Sequence, residues 1–207
     1  MTTATQTAID SVVLEAGDPQ AAEAFYEDAF GLGDVLRIRA AGDDASSGFR
    51  AYTLSLVVAQ PADVDAYVDA ALAAGATAIK DPKKSLWGYG GVVRSPDGAL
   101  WKVATSSKKD SGPATRAYED IVLLLGADDV KASKRFYVEH GLAVDRSFGS
   151  KYVQFAASGG AIKLALYGRR ALAKDAGVAP EGGGSHRLAI VSPAAPFTDP
   201  DGFAWEA

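Results

Sequence analysis

One pair of motifs occurs twice in this chain, and that limits its possible folds more than any other feature. Ala24-Phe25-Tyr26, with Gly31-Leu32 beyond it, returns as Arg135-Phe136-Tyr137 with Gly141-Leu142. Ser95-Pro96-Asp97-Gly98-Ala99-Leu100-Trp101-Lys102 returns as Asp199-Pro200-Asp201-Gly202-Phe203-Ala204-Trp205-Glu206. A repeat of this kind implies two similar structural units packed on one another. It also allows comparison copy against copy: the last strand carries Lys102 in the first and Glu206 in the second.

Each copy reads as strand, helix and further strands. In the first, a β-branched run from Ile9 to Ala16 precedes Asp18-Pro19, an N-cap residue with proline in the first helical turn. Alternating Leu54, Leu56 and Val58 predict a strand over Phe49 to Ala59, and Gln60-Pro61 opens a second helix running to Ala74. Residues 42–48 read as a loop. Leu86 to Arg94 and Ala99 to Ala104 predict strands around the Ser95-Pro96-Asp97-Gly98 turn. The second copy follows the same order but lacks one helix. Where the first has Gln60 to Ala74, it has Ser192-Pro193-Ala194-Ala195-Pro196, in which two prolines forbid a helix. Gly182-Gly183-Gly184 reads as a loop, since no Lys-Ser/Thr follows to make a phosphate-binding turn. The expected units are 8–105 and 118–207, joined by a Ser-, Lys- and Gly-rich linker at 106–117.

The formal net charge of -5 argues against a nucleic-acid partner, and no apolar run approaches a membrane span. Cysteine is absent, which removes disulfides, thiolate metal sites and a cysteine nucleophile together. With two histidines, an all-histidine metal site within one chain is excluded as well. Met1 to Thr7 lacks the basic-then-apolar pattern of a secretory signal, so a cytoplasmic protein is expected, as monomer or homodimer.

A strand, then Asp, Phe-Tyr and Gly-Leu, with a closing Asp-Pro-Asp-Gly-x-x-x-Glu strand, resembles the vicinal oxygen chelate superfamily. Glyoxalase I, extradiol dioxygenases and bleomycin-binding proteins belong to it. The resemblance implies an α+β fold in which tandem glyoxalase-like βαβββ modules form cup-shaped mixed sheets, here with the second copy abbreviated. It implies nothing as definite about chemistry, which ranges across that superfamily from metal-dependent isomerisation to sequestration.

The family's metal ligands are His, Gln or Glu on particular strands. Carried over residue by residue, the last-strand Glu matches Glu206 and a strand-opening His matches His186. The opening strand of the first copy has Ser11 where the family usually places His. Its second-copy counterpart is Val122 on a gapless alignment and Asp120 if a two-residue bulge is allowed. His186, Glu206 and Asp120 could hold Zn, Fe, Mn or Ni and support a lyase, isomerase or dioxygenase. That ligand set is short. The favoured expectation is therefore a member resembling the bleomycin-resistance branch, with no certain cofactor. It would bind a small aromatic or anionic metabolite or antibiotic in the cup, at Tyr52, Trp87, Tyr89 and Lys102. Lys102 is either a fixed cation replacing a metal ligand or a side chain snorkelling from a shallow face, and the sequence leaves both open. Trp101 and Trp205 are expected to face the helices as core.

Overall fold

The computed structural model describes residues 7–207. Apart from Thr7, the segment examined for a signal pattern lies outside them. In chain order the elements are β1 (Ser11–Ala16), α1 (Pro19–Ala29), β2 (Leu36–Ala40), β3 (Ser46–Gly48), β4 (Tyr52–Val58), α2 (Pro61–Ala73), β5 (Thr77–Ser85), β6 (Gly88–Arg94) and β7 (Leu100–Thr105). There follow β8 (Tyr118–Ala127), α3 (Val130–Glu139), β9 (Val144–Phe148), β10 (Tyr152–Phe155), β11 (Ile162–Gly168), α4 (Arg169–Ala176), β12 (Gly182–Gly184), β13 (Leu188–Val191), β14 (Phe197–Thr198) and β15 (Ala204–Glu206). The α+β class is as expected, and residues 192–196 carry no helix.

The helix starts follow their caps. Asp18 accepts from Ala21 N ahead of α1, and Asp129 accepts from Lys131 N and Ala132 N ahead of α3. His140 ends α3 with Nδ1 2.8 Å from the Phe136 carbonyl oxygen and its ring stacked on Phe136. These satisfy backbone groups that a helix end leaves open.

Both large sheets draw strands from both halves of the sequence. The five-stranded sheet runs β14-β15-β13-β1-β2, and the eight-stranded sheet runs β5-β6-β7-β4-β8-β11-β10-β9. Alternation sorts each strand: Val12 and Leu14 on β1, Leu54 and Leu56 on β4, and Trp101 and Val103 on β7 face one continuous core with α1 and α2. Trp101 is stacked 4.5 Å from Phe30, and Trp205 4.9 Å from Phe197.

Two pairings depart from the sequence reading. Residues 46–48 and 182–184, expected as loops, form a two-stranded antiparallel ribbon. Gly182 and Gly184 permit it, because a Cβ on either would meet backbone oxygen at 2.4 Å or less. Thr77–Ser85 is a strand despite Pro82, lying at the sheet edge with register shifts around Lys80 and Lys83. An edge is where a strand tolerates proline.

The repeated motifs meet in space. Tyr26 Oη donates to Asp97 Oδ1 at 2.7 Å in the first copy, and Tyr137 Oη donates to Asp199 Oδ2 at 2.5 Å in the second. The helix Phe-Tyr pair thereby locks the Pro-Asp-Gly turn. Burial, partly offset by the Tyr137 hydrogen bond, holds the Asp199 carboxyl above its ordinary value of 3.8. The folded state therefore takes up this proton before the unfolded chain does. The resulting stabilisation is complete below the unfolded value and is lost as pH rises through the folded one. Wild type is expected to gain stability relative to Asp199→Asn as pH falls from 7 to 4. Urea denaturation at both pH values checks this, and a constant gap would show that Asp199 is not the group responsible.

Candidate functional site

The open face of the eight-stranded sheet is not empty. Leu100 and Lys102 on β7, Leu124 on β8 and Tyr167 on β11 look away from the main core, and α4 lies across them. Leu172, Ala173 and Ala176 are buried there against Phe49 and Leu100 in a separate apolar cluster. The helix stays because its inner face is apolar and its ends are tied. Asp175 receives Lys102 at 2.7 Å, and the Lys80 ammonium donates to the Lys174 and Asp175 carbonyls. The Gly177 C-cap adopts φ 84°, the left-handed conformation that suits glycine. Lys102 is thus neither a free cation nor simply solvated. With both partners about a third exposed or more, the pair contributes little beyond placing α4.

A cavity of about 760 Å³ lies beside Arg169, Arg170 and Ala171 of α4, and two others touch residues named from the sequence. The smaller of those two, about 180 Å³, is bordered by Trp87, Tyr89 and Lys102. These three were grouped from the sequence. Trp87 sits at the β5–β6 hairpin tip, 84% exposed, and Tyr89 directs its hydroxyl to Asp65 on α2 at 2.8 Å. Tyr52 does not join this group.

The larger of those two, about 320 Å³, takes in Tyr52. It lies between the β3–β12 ribbon, the start of β4, the Ser95–Ala99 turn and the segment after α4, with Arg50, Arg94, Ser46 and Glu181 among its walls. Gly98, at φ 96°, lets the Arg50 guanidinium lie flat on the turn; a Cβ there would meet Nη2 at 3.0 Å. Arg50 Nη2 donates to the Asp97 carbonyl at 2.7 Å. Arg50 Nη1, Tyr52 Oη and Ser46 Oγ are buried without a hydrogen-bond partner. Burial, opposed by the Arg50 cation, keeps the Tyr52 phenol well above its ordinary value of 10.0, so it remains a neutral donor. Buried polar groups are normally paired, which makes three orphans around one cavity an unusual local feature. Between Arg50 and Tyr52, Ala51 holds φ 60°, a conformation costly for a residue with a Cβ.

The structure does not bring the metal-ligand candidates together. Glu206, on β15, accepts from Arg39 Nη1 through both carboxylate oxygens at 2.9 Å, while Arg39 also binds Glu15 at 2.7 Å. His186 has both ring nitrogens against carbonyl oxygens, Nδ1 at 2.8 Å from Arg50 and Nε2 at 3.1 Å from Asp201. Its ring stacks on Phe203. Asp120 belongs to the other sheet and is paired with Lys163 at 2.6 Å. Among the described residues, no three His, Cys, Asp or Glu side chains are grouped to hold a metal ion. Ser11, where a family histidine was expected, is buried with its hydroxyl unpartnered. The residues present do not fit a divalent metal: a guanidinium already sits between the two carboxylates, and His186 has no lone pair directed at open space.

Sequence reading missed Arg50, Ser46, Arg94 and Arg39. The available signal was Arg50, two residues before Tyr52 on a strand-like stretch and hence on the same face. Arg39 gave none, because its partners are 24 and 167 residues away.

No protein-family model and no curated protein matches the chain. Solved structures do match. Glyoxalase I of Zea mays is similar with a TM-score of 0.63 at 14% identity, over 97% of this chain and 91% of that one. A mutant of the same enzyme gives 0.61 at 15% identity over the same shares. A candidate dioxygenase of Bacillus subtilis subsp. subtilis strain 168 gives 0.56 at 13% identity, over 91% of this chain and 71% of that one. Likeness at such identities shows the fold alone, a glyoxalase-like α+β fold. Among the described residues, no helix is long and apolar enough to cross a membrane.

Proposed function

From a glyoxalase-type fold whose residues do not fit a metal, we infer that this chain binds a small organic metabolite or antibiotic without a metal. The site is the Tyr52 cavity. The two sequence copies, 8–105 and 118–207, are its scaffold, since the cavity wall combines β3 and β4 with the segment around Glu181. One observation carries the reading: Tyr52, 1% exposed, borders a 320 Å³ cavity, and its hydroxyl is buried without a hydrogen-bond partner. Leaving such a group unpaired costs about 1–3 kcal/mol, which a ligand acceptor would recover. The volume falls in the range of small-molecule sites.

A thermal-shift screen of metabolites and antibiotics, with elemental analysis of untagged protein, tests this. A ligand is expected that raises Tm in wild type and binds about 2–10-fold more weakly to Tyr52→Phe, the worth of one hydrogen bond. Stoichiometric divalent metal, lost in Glu206→Ala, would overturn the metal-free part of the reading. A ligand indifferent to Tyr52→Phe would move the site elsewhere.

A further inference from the structure

We propose that the group recognised in the Tyr52 cavity is an oxyanion, a carboxylate or phosphate, carried on a compact apolar body. This rests on the binding reading above and adds the ligand's chemical class. The polar wall offers unspent donors. Arg50 Nη1 is a charged donor, and Tyr52 Oη and Ser46 Oγ are neutral ones; all three are buried and unpartnered. A group that accepts several hydrogen bonds at once, one of them charge-assisted, is an oxyanion. A neutral hydroxyl or amide would leave at least one of these donors unmet.

The charges nearby support the assignment. Arg50 is fixed through the Asp97 main-chain oxygen, so no carboxylate is hydrogen-bonded to its guanidinium. The Asp97 carboxylate receives the Tyr26 hydroxyl on Oδ1 while its Oδ2 is buried without a partner, and Asp97 is not among the residues lining the cavity. Glu181 does line it, but is exposed to water, as is Arg94 at the same mouth. The lining at the buried end of the cavity is therefore donor-rich, with one guanidinium and no lining carboxylate, while its two exposed charges oppose one another. The remaining wall is apolar, with Phe49, Leu100 and Val178 facing the same space. Pocket and donors together describe an acid with a small hydrocarbon or aromatic body. They do not suit a polyanion, since only one guanidinium is buried.

Calorimetric titration of the full chain with benzoate, phenyl phosphate and benzyl alcohol, at low and at physiological salt, tests the class. One of the two anions is expected to bind about ten-fold or more tightly than the neutral alcohol, as a charged hydrogen bond requires. Which anion wins tells carboxylate from phosphate. Arg50→Gln should abolish the preference for the anion over the alcohol. Because that variant also loses the tie to the Gly98 turn, Arg94→Gln provides a second arm on an exposed residue. It should weaken the anion a few-fold at low salt and less at physiological salt. Equal affinity for acid and alcohol would overturn the oxyanion inference and leave small-molecule binding standing. An anion preference that survives Arg50→Gln would overturn the assignment to this cavity. Silence from all three probes in wild type would overturn the inference and the Tyr52 site with it.

Discussion

Trp101→Ala is expected to destabilise the protein by about 3–5 kcal/mol, whereas Trp87→Ala should change stability by no more than about 0.5 kcal/mol. The two residues are chemically identical and only 14 positions apart, but Trp101 is 1% exposed and Trp87 84%. Trp101 lies between the Phe30 ring at 4.5 Å and the Tyr26 ring at 5.7 Å, with Leu54 opposite it in register on β4. Truncation removes the transfer energy of an indole. It also leaves a cavity that a sheet and two helices cannot collapse to fill. Since domains of this size are stable by about 5–15 kcal/mol, the loss would be a large part of the whole. Urea denaturation with an unchanged m-value reads it directly. A cost below about 1.5 kcal/mol would mean that the Trp101 environment is not a close-packed core.

Leu172→Ala is expected to cost about 2–4 kcal/mol. This is a large effect for a residue on a helix of only eight residues, too short to be stable alone. Leu172 is fully buried in the second apolar cluster, against residues of the open sheet face. If α4 were a loosely attached surface helix, the same change would cost a few tenths of a kcal/mol, and the midpoint of a denaturant titration separates the two cases. The helix also matters for function. It takes up the middle of the sheet's open face, which separates the cavity at Tyr52 from a smaller groove at Lys102. The sequence gives no sign of where this helix packs, because burial against a distant sheet is not a periodicity.

The site was legible in part for the same reason. Tyr52 was named from the sequence and borders the 320 Å³ cavity. Trp87, Tyr89 and Lys102 were expected in the same cup. Alternation does place Leu100 and Lys102 on one face, but it says nothing of the hairpin that carries Trp87 into solvent or of Asp65 drawing the Tyr89 hydroxyl to α2. His186 and Glu206 were named because of strand position. Their partners, the Arg50 carbonyl and the Arg39 guanidinium, lie 136 and 167 residues away.

What the sequence determined by itself was local or repeated. The capped starts of α1 and α3, the proline-blocked stretch at 192–196 and the twin Phe-Tyr and Pro-Asp-Gly motifs all follow from neighbours within a few residues. Tertiary structure alone decided that 46–48 pairs with 182–184, that Arg39 bridges Glu15 and Glu206, and that α4 lies on the sheet. Each of these joins segments far apart in the chain. Their energy comes from desolvation and hydrogen bonding at contact, which no pattern along the sequence encodes.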